Sequence, residues 1–193
     1  VLDSLHYSLL VVVVFACLAS PIITGLFTDK FESSTVIMLL FLPIIVLRGV
    51  GSVVLPGLVA ADRADTYAKL TLAGAVLNFV LNMLMIPVWG ANGAVISTFI
   101  SYLPIEVFGL MSLYRMAPGF WGRRDWARAA KSIAAAAATV LLHALIAPDP
   151  GNIVETVLQA AVVSCFFSGL LLLSRAITVK ELVELARPLI KKR

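Results

Sequence analysis

The stretch Leu77-Asn78-Phe79-Val80-Leu81-Asn82-Met83-Leu84-Met85-Ile86-Pro87-Val88-Trp89-Gly90-Ala91-Asn92-Gly93-Ala94-Val95-Ile96-Ser97-Thr98 decides how this sequence folds. It joins two long apolar runs through a turn at Trp89-Gly90. Inside lipid every backbone polar group must be satisfied within its own segment, so runs of this length are helices rather than open strands. So short a connection makes them an antiparallel pair. On the first, Gly74, Asn78 and Asn82 recur every four residues, and on the second Gly93, Ser97 and Ser101 do the same. Small residues at this spacing let membrane helices approach closely, and polar ones among them hydrogen-bond across the contact. Counted outward from the turn at about 1.5 Å per residue, Asn82 comes level with Ser97, and Asn78 with Ser101. Those two layers are predicted to face each other and to act in packing rather than in substrate contact.

The rest of the chain extends the pattern. Of its 193 residues, 61% are hydrophobic and 13% charged, whereas a soluble domain runs nearer to half apolar and about a quarter charged. An ordinary soluble enzyme is excluded, and so is disorder, which requires few apolar residues. At about 20 residues per crossing, six spans can be drawn, over 5–27, 35–61, 69–88, 91–114, 129–147 and 153–174. The second holds Pro43, Pro56, Gly49, Gly51 and Gly57, which predict a kinked or locally unwound helix. The fifth depends on the alanine run 134–138 and on Lys131 reaching back to the interface. The fold class is an all-α polytopic membrane protein with six transmembrane helices and an amphipathic helix at the C-terminus. Residues 1–127 form one group of four spans with a basic loop, 128–174 a terminal helix pair, and 175–193 the tail.

Orientation follows from the basic residues. Of the 15 Lys and Arg, all but Lys30 and Arg48 fall on the side that holds the two chain ends and the connections at 62–68 and 115–128. That side is assigned to the cytoplasm. In the tail, Thr178 and Glu181 have the spacing of a capping box. Val179, Leu182, Val183, Ala186 and Ile190 then recur at helical spacing opposite Lys180, Glu184, Arg187 and Lys191. Such a helix lies on the lipid interface, with Lys191-Lys192-Arg193 attracted to anionic headgroups.

Two ionisable residues sit deep in spans: Arg48 in the second and Glu106 in the fourth. A charge at mid-bilayer costs at least about 2.5–3.5 kcal/mol, so it turns inward and finds a partner. Both spans run in the same direction, and the two residues lie within one turn of the same depth. They are expected to pair across the bundle, or Arg48 to line a path for a phosphate-bearing lipid head, since Arg suits bidentate phosphate contact. Cys17 and Cys165 read as small buried hydrophobes. His143 reads as a packed histidine, and Trp89, Trp121 and Trp126 as interfacial aromatics. No catalytic constellation, phosphate loop or metal spacing is visible, and nothing calls for a cofactor or a nucleic-acid partner.

The stretch quoted above resembles a recurrent pattern of bacterial polysaccharide flippases, of the multidrug/oligosaccharidyl-lipid/polysaccharide exporter superfamily. The pattern is an Asn, three apolar residues, a second Asn, an apolar run to Ile-Pro, and a short turn into Gly-x-x-Gly-Ala. Asn78, Asn82, Ile86, Pro87, Gly90, Gly93 and Ala94 match it. Leu58 to Asp65 is similar to the family's short cytoplasmic link, without its usual glycine. The resemblance implies fourteen helices in two six-helix lobes plus a terminal pair, of which these six would be the last. It implies transport of a lipid-linked oligosaccharide by alternating access, with membrane lipids and a preceding lobe of the same chain as partners. The sequence starts at Val1 with no basic n-region, so it is expected to begin partway through a longer protein and not to transport alone. The nearest rival is a cation-coupled multidrug exporter of the same superfamily. A membrane-embedded glycan polymerase or acyltransferase should have a catalytic set and a large outer loop, and the outer loops here are short. A non-transporting scaffold subunit is a further alternative.

Overall fold

The structure is a computed structural model that describes residues 2–117, 121–147, 150, 152–178 and 181. Among the described residues seven helices carry it: α1 (Leu2–Leu26), α2 (Ser34–Gly51), α3 (Val54–Ala60), α4 (Ala64–Trp89), α5 (Ala91–Met116), α6 (Arg123–Ile146) and α7 (Ile153–Leu173). A short 3-10 turn, Asp29–Phe31, lies between α1 and α2. No strand occurs among the described residues. With α2 and α3 counted as one interrupted span, six helices among the described residues are long and apolar enough to cross a membrane. The protein is an all-helical, multi-pass membrane protein.

Helix ends follow local chemistry more than hydropathy. The fifth span, expected from residue 129, begins at Arg123, so residues 123–128 of the expected basic loop, with Arg123, Arg124 and Arg128, are the first turns of α6. Asp125 makes that start possible by accepting the Gly122 amide at 2.8 Å, which offsets an orphan donor of the first turn. The third span begins at Ala64 rather than residue 69, with Asp65 in its first turn and Lys69 3.4 Å from that carboxylate. At α7 the Asn152 side chain accepts the Glu155 amide at 2.9 Å, a cap legible in Asn152-x-x-Glu155 but not read there. Leu18 inside α1 leaves helical geometry, with φ −118° and ψ 18°. Pro21 explains it, because its ring crowds the carbonyl four residues back and offers no N–H to it.

The bundle is organised around α1, which packs against α2, α6 and α7. Leu5, Leu9 and Val13 of α1 meet Ala129, Ala135 and Ala136 of α6 and Val163, Phe167 and Leu171 of α7 in one buried cluster. The alanine run, weak as a hydropathy signal, is a small-residue face. Ala129, Ser132, Ala135, Ala136 and Thr139 are buried along it, so α6 comes close enough for the His6 ring to hydrogen-bond Ser132 at 2.9 Å. On the other side of the molecule α4 packs on α5, and of its residues only Gly74 is buried. Both cysteines are free thiols, but the expectation of burial fails. Cys17 is half-buried and Cys165 exposed on α7, because a lipid-facing surface is as apolar as a core.

The C-terminal segment is clasped to α6. Arg128 donates through Nε to the Ala176 carbonyl at 2.7 Å, and through Nη2 to both Glu181 oxygens at 2.9 Å. Lys131 reaches the Ser174 carbonyl at 3.0 Å, an orphan acceptor at the end of α7. The capping contacts of Thr178 and Glu181 are present: the Glu181 carboxylate accepts the Thr178 amide at 2.7 Å, and the Glu181 amide points back to Thr178 Oγ1 at 3.4 Å. The helix expected beyond them, with Lys191, Lys192 and Arg193, lies outside the described residues.

The Glu181 carboxyl is held down to about 2, first by the Thr178 hydroxyl, then by the Thr178 amide and Arg128. A folded pKa below the ordinary 4.5 gives a contribution that is complete above pH 4.5 and lost as pH falls toward 2. Amide exchange at 176–178, corrected for intrinsic rates, should therefore stay slow above pH 4.5 and quicken as pH drops below it. Arg128→Ala should make it fast throughout. A second prediction concerns packing. A Cβ at Gly93 would fall on the Met85 carbonyl, whereas at Gly169 nothing lies within 4 Å. Gly93→Val should cost about 1–3 kcal/mol, read as a lower thermal midpoint in detergent, and Gly169→Ala should lower nothing.

Candidate functional site

The site begins with the interruption between α2 and α3. The helix runs through Pro43 without a break and stops at Gly51, four to five residues before Pro56. A continuous helix would need the Pro56 nitrogen to donate to the Ser52 carbonyl, and proline has no N–H. Breaking at Ser52 places Pro56 in the first turn of α3, where no intrahelical donor is needed. The Ser52 hydroxyl donates to the Gly49 carbonyl at 2.7 Å and closes the end of α2.

Two glycines just after Arg48 admit the neighbours. Any side chain at Gly49 would collide with Ser8 of α1, and any at Gly51 with the carboxylate of Glu106 from α5. Glu106 is 1% exposed. Its Oε1 accepts from Arg48 Nη1 at 2.7 Å. The guanidinium carbon stands 4.8 Å from the centre of the Tyr102 ring, one turn before Glu106 on the same helix, a favourable cation–π placement. Tyr67, near the start of α4, approaches the guanidinium as well. The two intramembrane charges singled out in the sequence are therefore brought into contact. Tyr102 and Gly51 were not singled out, although four-residue spacing from Tyr102 to Glu106 puts both on one helix face.

The pair is asymmetric. The Arg48 side chain is 47% exposed, against 1% for Glu106. Glu106 Oε2 accepts no hydrogen bond among the described residues. A guanidinium carries five N–H donors in a rigid fork. With Glu106 and Tyr67 each engaging the fork and Tyr102 on one face, the donors that remain can hold a further planar or tetrahedral anion. That is the chemistry available here: binding and charge compensation.

The α4–α5 hairpin carries a polar ladder beside this site. Gly90, at φ 57° and ψ −134°, makes the turn in a conformation open to glycine. Ser97 donates to Asn82 Oδ1, and Asn82 Nδ2 donates to Asn78 Oδ1 at 2.9 Å. The Asn82–Ser97 layer forms as expected, but the Asn78–Ser101 layer does not. Asn78 Nδ2 points to Thr98 Oγ1 at 3.4 Å, while the Ser101 hydroxyl turns back to the Ser97 carbonyl at 2.6 Å. Thr98 can accept because its own proton goes to the Ala94 carbonyl, leaving oxygen lone pairs free. Ser101 instead lines the close approach of Gly74, whose Cβ position lies 3.2 Å from the Ser101 carbonyl oxygen. Gly93, Ser97 and Ser101 are buried, as is Gly74.

No family model, no curated protein and no solved structure matches this chain.

The geometry makes a double-mutant prediction. Arg48→Ala leaves Glu106 buried without its cation and should cost on the order of 3 kcal/mol. Glu106→Ala should destabilise as well, because it leaves Arg48 without its anion inside the span. The double variant Arg48→Ala/Glu106→Ala should be more stable than Arg48→Ala alone. Detergent unfolding midpoints of the four proteins check this, and additive losses would refute the coupling.

Proposed function

We propose that this chain is part of a bacterial inner-membrane transporter that flips a lipid-linked oligosaccharide by alternating access, for cell-surface polysaccharide assembly. In this reading both ends of the segment are cytoplasmic, and a preceding lobe of the same protein faces Arg48. The observation that carries the reading is the asymmetric ion pair. A structural pair would bury both partners, whereas here Glu106 is fully buried and Arg48 is half open. Glu106, Tyr102 and Tyr67 hold the guanidinium in place, and nearly half of the arginine side chain stays uncovered. The phosphate groups that join a glycan to its lipid carrier are the anions an arginine fork recognises best.

The interrupted α2–α3 span next to the pair supports the same reading. Transporters place broken helices where substrate or ions bind near the bilayer midplane. The hairpin seals its polar edge on itself through Asn78, Asn82, Ser97 and Thr98, so it serves as a stiff wall rather than a binding surface. One observation favours a second reading, a cation-coupled exporter: the unpartnered oxygen Oε2 of buried Glu106 is a place for a proton or small cation.

The test is translocation of a lipid-linked glycan by the full-length protein in sealed vesicles. Arg48→Lys keeps a cation beside Glu106 but loses the fork, and should slow translocation by about tenfold or more, equivalent to about 1.4 kcal/mol, with folding intact. Arg48→Ala/Glu106→Ala should fold and not translocate. Wild-type rates in both variants would defeat the flippase reading. Movement of a lipophilic drug instead of the glycan would favour the exporter.

A further inference from the structure

A second polar site lies at the end of the bundle where α3 ends, α4 begins and α5 ends. A cavity of about 260 Å³ opens there, lined by Leu58, Arg63, Thr66, Ser112, Arg115 and Met116. One water needs only roughly 10–15 Å³ of such space, so there is room for a phosphate group. Arg63 and Arg115 lie far apart in sequence and come from different elements, yet they border one space. Neither makes an ion pair among the described residues. The nearest acid in α4, Asp65, is turned to Lys69 at 3.4 Å, and neither Asp62 nor Asp65 lines the cavity.

The backbone presents Arg63 in a fixed position. Asp62 takes a left-handed conformation at φ 54°, and the chain folds back so that the Arg63 amide donates to the Leu58 carbonyl at 2.8 Å. This closing of α3 satisfies carbonyls that its end would otherwise leave open. The Thr66 amide in turn donates to the Arg63 carbonyl at 3.0 Å. Ser112 spends its hydroxyl on the Phe108 carbonyl at 2.8 Å, so the donors available to a guest are the two guanidiniums and the Thr66 hydroxyl. Leu58 and Met116 supply an apolar wall. Two guanidiniums bordering one space repel each other until an anion enters between them, and phosphate oxygens fit that role with charge-assisted hydrogen bonds.

We propose that this cavity binds a phosphate group, held by Arg63 and Arg115 with Thr66. The site is separate from Arg48 and independent of what the protein transports. Two sources share that chemistry, the headgroup of an anionic phospholipid and a soluble phosphate. The apolar wall suits a lipid, since basic pockets between membrane helices take lipid headgroups.

The full chain in neutral detergent should be incubated with phosphatidylglycerol, phosphatidylcholine or radiolabelled inorganic phosphate. Native mass spectrometry reads retained lipid, and equilibrium dialysis reads phosphate. Phosphatidylglycerol should be retained over phosphatidylcholine. Arg63→Gln/Arg115→Gln should weaken retention by about tenfold or more, as expected for lost charged hydrogen bonds. Arg123→Gln/Arg124→Gln, which removes as much charge from the first turn of α6, should not. Thr66→Val should weaken it without any change of charge. Phosphate binding that the Arg63/Arg115 variant loses would support the site with a soluble source. If the Arg63/Arg115 variant retains phosphatidylglycerol as well as wild type and wild type binds no phosphate, the proposal is overturned.

Discussion

A carboxylate sealed inside a membrane bundle cannot stand alone, and the contact between Glu106 and Arg48 sets much of the surrounding architecture. The carboxylate fits where it does only because residue 51 has no side chain. Arg48 reaches it from one turn before the α2–α3 interruption, so the break, the glycines and the charge pair form one unit. α2 is drawn against α5 by this contact and against α1 through Gly49 and Ser8. It thereby links the α1–α6–α7 group to the α4–α5 hairpin. Desolvating the charges is expensive, and a bundle held by packing alone would have had no need of them.

Much of this was legible in the sequence, and the misses have identifiable causes. Period and length gave six apolar helices, because lipid permits no other open arrangement of backbone. Arg48 and Glu106 stood out because charge is so costly there, and equal depth was enough to anticipate that they would meet. Side-chain register was legible to one layer and then failed. Asn82 and Ser97 lie near the turn, where counting residues is a good measure of height. By Asn78 the amide meets Thr98, one helical turn nearer the hairpin turn than Ser101, and a count of residues does not resolve which of two hydroxyls on adjacent turns it reaches. Burial was the least legible property. Cys165 and Phe167 are near neighbours in an equally apolar run, yet one is exposed and the other 1% exposed. In water, hydropathy separates inside from outside; in lipid it does not, and only small residues at four-residue spacing mark the contact faces. The α6 alanines illustrate the point, weak for insertion and informative for packing.

The prolines separate what a sequence permits from what a fold selects. Pro21, Pro43, Pro56, Pro87 and Pro104 all lie within helices. Each removes one backbone donor, yet the chain leaves helical geometry before Pro21 and breaks outright only before Pro56. What distinguishes Pro56 is its company. Gly49, Gly51 and Gly57 lower the local preference for helix, and Ser52 carries a hydroxyl able to take over the Gly49 carbonyl.

The same economy accounts for the Arg63 corner. Once α3 is separated from α2, it is a two-turn helix whose end must be closed within a few residues, or its last carbonyls would be left without intrahelical partners. Asp62 closes it by adopting a left-handed conformation that Asp tolerates better than most side chains. The consequence is positional: Arg63 is held at a fixed point against the end of α5, opposite Arg115. A break that accommodates one charge pair in the membrane thus also fixes a second pair of charges at the boundary. The two sites are connected by α3, whose Val54 and Leu58 are fully buried against α5. Any motion of α3 about the Ser52 break would therefore be felt at both.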